Sequence, residues 1–184
     1  MNSLKDKLLI SVPHMNDDIF GHSVIYICEH NLQGAMGLIV NKPVNNISFN
    51  DLKNVNHIDK DHFEKLQNKF FFGGPILVEK IMALHSNKLK IETAIPLNKN
   101  VSISNTKEII ENIKKDINLN CKLFCGHSGW GPGQLEREIE NGDWLLQSFK
   151  IDLLFDFPAE LTWEIAIKSL GINIIDISNM SGSA

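Results

Sequence analysis

The stretch "GHSGWGPGQLEREI", residues 126–139, sets four glycines and a proline within eight positions and then takes on a helical pattern. Three chemistries use glycine at that density, and spacing tests each. A phosphate loop needs Lys and Ser or Thr after its last glycine, but Gln134 and Leu135 follow Gly133. A dinucleotide loop needs GxGxxG, whereas Gly129, Gly131 and Gly133 alternate. A nucleophile elbow, GxSxG, is met at Gly126 and Ser128 and broken at Trp130, whose bulk denies the close backbone approach. What remains is a strand-to-helix turn. Its glycines allow positive φ, Pro132 suits a first helical position, and the free N–H groups at the helix start could hold a small anion. The alternative is structural, with the glycines letting Trp130 fold beneath the helix.

Other polar residues could join that turn. Glu29 and His30 end the apolar run "HSVIYICEH" and, on a strand, face opposite sides. A cleft gathering His30, His85, Asn41, Gln134 and Glu136 would hold bases, amides and a helix end, the kinds of group that acid–base catalysis uses. The competing reading is that His30 and Asn41 tie down a hairpin, because buried polar groups need partners. The candidate ligand-binding residues are therefore Glu29, His30, Asn41, His85, Gly129, Trp130, Gly131, Gly133, Gln134 and Glu136. No motif assigns a catalytic residue. Glu136 suits the helix dipole, and Glu136, Glu138 and Glu140 read as a partly solvated face. Cys121 and Cys125 are separated by three residues, and no HxH, HExxH or CxxC occurs, so neither a metal site nor a cofactor is expected. Cys28 reads as a core residue. Cys125, beside the turn, could have a lowered pKa, with packing the preferred role.

The elements that must position these residues follow from hydrophobic pattern. "KLLISV" predicts a first strand, and "HSVIYICEH" and "AMGLIVNKP" predict a hairpin turning at "NLQG" and stopped by Pro43. "KFFFGGP", "IMALHS", "KIETAIPL", "NVSIS", "NCKLFCG", "DWLLQSF" and "KIDLLF" read as short strands. The segment 45–66 is polar with short helical pieces, and Ser48 with Asp51 makes a weak N-cap pattern. Asn105 caps a helix with Ile109, Ile110, Ile113 and Ile117 on one face. Gln134–Asn141 is helical, and a last helix opens at Pro158, buries Trp163, Ala166, Ile167 and Leu170, and stops at Gly171. The order is no clean βαβ alternation, which excludes a doubly wound parallel sheet. The expected class is α+β: a mixed, largely antiparallel sheet with a few packed helices, in a single domain over 1–184.

Bulk properties bound the function. The chain of 184 residues is 43% apolar, 22% charged and carries a formal charge of −4, an ordinary soluble composition. That charge, the single arginine and the lack of a helix-turn-helix pattern argue against direct nucleic-acid binding. No signal peptide or membrane span is visible, and three cysteines without an export signal point to the cytoplasm.

The segments "VPHMNDDIFGHSVIYICEHNLQGAMGLIVNKP", "FFFGGP", "ALH", "GHSGWGPGQLEREIENGDWL" and "LTWEIAIKSLGI" resemble, in order, the signatures of the YqgE/AlgH family (UPF0301, DUF179) of bacterial proteins. The resemblance spans nearly the whole chain. It implies a bifurcated, barrel-like sheet, an uncharacterised function under a transcriptional-regulator designation tied to alginate control, and no accepted catalytic mechanism. The sequence departs from the family pattern at Ile81, where Gly is frequent, and at Gly182-Ser183-Ala184, where a terminal Gly-His-Ala is frequent. Ser128 stands where Ala also occurs, which weakens a serine nucleophile. The resulting expectation is a non-catalytic binding or regulatory domain with an unknown protein or a small anion as partner. An enzyme acting on a small anionic metabolite at the histidine and glycine residues is the alternative, and an assembly partner with an exposed apolar patch is a third. Oligomeric state is left open.

Overall fold

The computed structural model describes residues 3–44, 63–64, 66–116 and 118–172, so Ser48, Asp51 and Ile117 lie outside the described residues. Nine described strands form one sheet: β1 (Lys7–Ser11), β2 (Val24–Asn31), β3 (Gly34–Ile39), β4 (Phe70–Phe72), β5 (Ile76–Ser86), β6 (Ile95–Pro96), β7 (Val101–Asn105), β8 (Cys121–Trp130) and β9 (Trp144–Ser148). Four described helices pack on it: α1 (Thr106–Lys115), α2 (Gln134–Glu140), α3 (Ile151–Phe155) and α4 (Ala159–Ser169). The strand order is β6-β7-β5-β8-β3-β2-β1-β9, with β4 added to β8. Every pairing between these strands is antiparallel except β4 with β8.

The sheet forks at β8. Its first half pairs β5, from His85↔Cys121 to Ile81↔Cys125, and carries β4 in parallel, Phe70↔Leu123 to Phe72↔Cys125. Its last three residues leave β4 behind and pair β3, Ala35↔Trp130 to Gly37↔Ser128. Glycines make the junction possible. Gly126 sits at φ 69, where a Cβ would strike the Gly74 carbonyl, and Gly74, at φ 145, lies against the backbone of His127.

Both faces of the sheet are covered, and alternation along β1 shows it. Leu8 and Ile10 enter a core with Tyr26, Leu38, Phe124 and the α3–α4 residues Leu154, Trp163 and Ile167. Leu9 enters a second core with Ile25, Ile27, Trp130, Leu135 and Trp144 beneath α2. Ile109, Ile110 and Ile113 of α1 close a third over Phe70 and Leu123. A strand buried on both sides reads as a continuous apolar run, as "KLLIS" does.

The structure corrects four local expectations. "KIDLLF" is helical at α3, since a run of that length carries too few turns for its period to decide. "KIETAIPL" contributes only the two residues of β6. "GHSGW" is strand, not loop, because β8 runs unbroken to Trp130 and accommodates Gly126 by a local kink. Finally, α2 begins at Gln134 behind Gly133 at φ 66, so Pro132 precedes the helix instead of opening it.

Candidate functional site

The motif's side chains converge on one carboxylate. Glu138 Oε2 accepts the indole N–H of Trp130 at 2.8 Å and that of Trp144 at 2.9 Å. Its Oε1 accepts Gln134 Nε2 at 2.8 Å, and Gln134 Oε1 accepts the Gly131 amide at 3.0 Å. The two indoles stand edge to face with centroids 6.3 Å apart, and Phe20 stacks edge-on to Trp144 at 5.8 Å. Buried tryptophans need a partner for N–H, and one helical residue supplies both. Sequence reasoning placed Glu138 on a solvated face. The missed signal is its separation from Gln134 by one helical turn.

The turn satisfies three of its own amides, and α2 has no side-chain cap. The Gln134 amide donates to the Gly131 carbonyl at 3.0 Å, the Gly131 amide to Gln134, and the Glu136 amide to its own carboxylate. Gly129, Trp130 and Gln134 do line a depression of about 260 Å³ together with Asp17, Glu138 and Asp143. That lining carries carboxylates and no cation, which is the wrong sign for an anion. Gly131 and Gly133 are exposed.

His30 and Glu136 do meet. Leu4 donates its amide to His30 Nδ1 at 3.0 Å, so the ring proton sits on Nε2 and points at Glu136 Oε1, 2.8 Å away. The Glu136 carboxyl is held below the usual range by its own backbone amide and secondarily by His30. Ser3 Oγ adds a bond to the His30 carbonyl, so this histidine clamps the N-terminal segment to β2 and α2. Asn41 ties a loop: its Oδ1 accepts the Val24 amide at 2.8 Å and its Nδ2 donates to the His22 carbonyl at 2.9 Å.

His85 stands elsewhere. It pairs with Cys121 at the start of β8, whereas His30 pairs through Ala35 with Trp130 at its end. That span is roughly 30 Å of strand. His85 is fully buried, donates from Nδ1 to the Ser86 carbonyl at 3.1 Å, and has its pKa lowered by burial. The cleft expected to gather His30, His85, Asn41, Gln134 and Glu136 is therefore not assembled, because β8 holds its histidines at opposite ends.

The nucleophiles are likewise occupied by packing. Ser128 is buried and donates to the Gly73 carbonyl at 3.2 Å. Burial raises the Cys28 thiol and pushes Cys121 and Cys125 up to about 11, opposite to the lowering considered for Cys125. Among the described residues no three His, Cys, Asp or Glu side chains stand together as a metal site, and no helix is long and apolar enough to cross a membrane.

A wider concavity lies on the other side of the fork. Between Ile76↔His127 and Ile81↔Cys125, β5 advances five residues while β8 advances two. Leu77, at φ 52, begins the arm that swings off the sheet. Beneath it opens a groove of about 930 Å³. Cys28, Met36, Ile81, Met82, Leu97 and Ile103 give it apolar walls, and Lys5, Glu29, Glu79, Lys80 and His127 give it a mixed charged lining. Of the sequence candidates only Glu29 reaches it, where Asn31 Nδ2 bonds its carboxylate at 2.8 Å. Burial and Lys80 lower the His127 pKa. Ser104 lines the groove, is 7% exposed, and its Oγ has no hydrogen-bond partner among the described residues.

Comparison with known proteins identifies this architecture. The family described as DUF179, AlgH-like, matches residues 8–175. A UPF0301 protein from Shewanella loihica is 34% identical over 186 residues, covering 100% of both chains. Another UPF0301 protein, from Sodalis glossinidius, is 34% identical over 189 residues, covering 99% of this chain and all of its own. The solution structure of the AlgH protein from Pseudomonas aeruginosa superposes with a TM-score of 0.76 at 28% identity, over 100% of this chain and 95% of that one. Protein DIP2367 from Corynebacterium diphtheriae shares the fold, with a TM-score of 0.69 at 22% identity, over 92% and 87%.

Proposed function

The chain belongs to the AlgH-like family, DUF179, and from that premise we propose that it is a non-catalytic binding domain, one unit over 1–184, that takes a small amphipathic molecule in the groove beneath the β5 arm. The observation that carries this reading is Ser104. A hydroxyl buried on an apolar wall without a partner costs roughly 1–3 kcal/mol unless something supplies one, and here it lines the groove. The groove volume of about 930 Å³ falls within the range of small-molecule sites. Methionines at positions 36 and 82 let the walls adapt to an apolar body, while Lys5, Lys80, Glu29 and Glu79 can meet a polar end. Catalysis is not part of this reading, since Ser128 is held on the Gly73 carbonyl and burial raises all three cysteine thiols. Any regulatory role would pass through groove occupancy and not through direct nucleic-acid contact.

The test is titration with 1-decanol, a neutral amphiphile, followed by methionine-methyl NMR. Met36 and Met82 signals should shift saturably, and Thr93→Trp, which places a large ring at the exposed rim, should weaken the effect at least several-fold while leaving the fold intact. Shifts confined to other methionines, or no change in Thr93→Trp, would refute the groove as the site.

A further inference from the structure

A second cavity, separate from the groove, lies between the start of β8, the turn before β4, and α3–α4. It measures about 530 Å³. Two lysines line it, Lys69 and Lys122, with Asn68, Asn118 and Asn120 as amides and Phe71, Phe155 and Phe157 as aromatic walls. No described carboxylate lines it: Asp152, Asp156 and Glu160, on the same helical segment as the aromatic walls, are not part of the surface.

Lys122 is the unusual member. It is only 7% exposed, yet no acidic side chain pairs with it among the described residues. Its Nζ gives one hydrogen bond to the Val40 carbonyl at 2.6 Å and stands 4.1 Å from the centre of the Phe71 ring. An ammonium has three N–H donors, so two remain without a described protein acceptor. Lys69 Nζ likewise gives one bond, to the Leu119 carbonyl at 3.0 Å. A charge buried without a counter-ion is costly, and the group responds by losing its proton. Burial alone lowers the Lys122 pKa to about 7, with no neighbouring charge contributing. Lys69 and Cys121 are the other titratable groups of the lining.

We propose that this cavity binds a small organic anion, its phosphate or carboxylate group paired with Lys122 and Lys69 and its apolar body against Phe71, Phe155 and Phe157. The anion would supply the counter-charge that the fold withholds from Lys122, so binding and protonation of that amine are one event. The anion site then lies about a strand's length from the glycine turn, whose neighbouring depression is acidic.

The experiment is isothermal titration of the full chain with phenyl phosphate, benzoate, inorganic phosphate and neutral benzyl alcohol, at pH 6 and pH 8, in two buffers of different ionisation enthalpy. At pH 8 a lysine titrating near 7 is about nine-tenths neutral, so binding should take up on the order of 0.9 proton, and at pH 6 roughly 0.1. The apparent Kd should weaken about tenfold between those pH values for the same reason. An advantage of phenyl phosphate over benzoate marks a phosphate ligand, the reverse a carboxylate, and either supports the proposal. Lys122→Arg, charged at both pH values, should keep binding with the proton uptake gone, while the near-isosteric Lys122→Met should lose it at least tenfold. Far-UV circular dichroism establishes that both variants fold. Binding of benzyl alcohol as tight as that of the anions, no binding of any anion, or binding unchanged in Lys122→Met would overturn the assignment.

Discussion

Replacing Glu138 tests the claim that the glycine–tryptophan motif is a clasp. In Glu138→Ala three hydrogen bonds to a carboxylate disappear, those from the Trp130 and Trp144 indoles and from Gln134. Bonds to a charged group contribute about 1.5–3 kcal/mol each, but Glu138 is half-buried and water can reach part of the site. The Gln134 bond is exposed and is given little weight. The indole N–H groups belong to rings only 7% and 5% exposed, so losing their acceptor leaves donors that water reaches poorly. Two such losses at the lower end of the range amount to about 3 kcal/mol. Glu138→Gln can keep an amide oxygen on both indoles but gives up the charge that strengthens those bonds, and should cost about half as much. Urea denaturation followed by tryptophan fluorescence measures both, and the native emission should also shift as the indole environment opens. A loss below about 0.5 kcal/mol for Glu138→Ala, the size of an ordinary surface change, would refute the clasp.

Gly74→Ala places a Cβ into the His127 backbone at φ 145, a conformation closed to L-residues, and should destabilise by at least about 2 kcal/mol in the same assay or prevent soluble expression. Lys122 predicts a pH signature of stability. Its folded pKa, about 7, lies below the unfolded value of about 10.4, so between those values the unfolded chain holds a proton that the folded chain has released. Stability therefore rises with pH across that window. Relative to Lys122→Met, the wild type should gain about 1 kcal/mol per pH unit from pH 7 to pH 9 in urea melts, and a flat difference would show that the amine is not neutral in the folded state.

Much of the fold is legible because its strands are buried on both faces. Runs such as "KLLIS" and "VIYIC" suit a covered sheet, and what favours strand for "VIYIC" is its β-branched and aromatic content together with the turn at Leu32-Gln33 and the stop at Pro43. The fork is legible through the family resemblance and not through pattern. Pairing of β8 with β3, β4 and β5 depends on contacts distant in sequence, and only the glycines at 73, 74 and 126 hint at close backbone approach. The candidate residues fared according to whether one element could bring them together. His30 and Glu136 meet because β2, β3 and the end of β8 deliver the chain to α2. His85 cannot, because its partner residue is at the other end of β8. Lys122 and Ser104 escaped notice because each sits in a strand whose pattern reads as ordinary, and only the tertiary packing shows one without a counter-ion and the other without a partner.

Much of the hydrogen-bonding capacity of the densest motif in this chain is spent on the fold itself. Gly34 has no room for a Cβ against the Trp130 carbonyl, Gly131 is capped by Gln134, and Glu138 holds both indoles. A residue committed in this way fixes the end of β8 and with it the angle between the two arms of the sheet. Binding instead needs donors and acceptors that the fold leaves uncommitted beside a space large enough for a ligand. On either arm the structure offers one such group in one such space: Ser104 in the groove under the β5 arm and Lys122 in the cavity beside α3–α4. Because β8 contributes His127 to the first and Lys122 to the second, the clasp that sets its course shapes both. Loosening Glu138 should then disturb the groove and the cavity, neither of which Glu138 or the two tryptophans line.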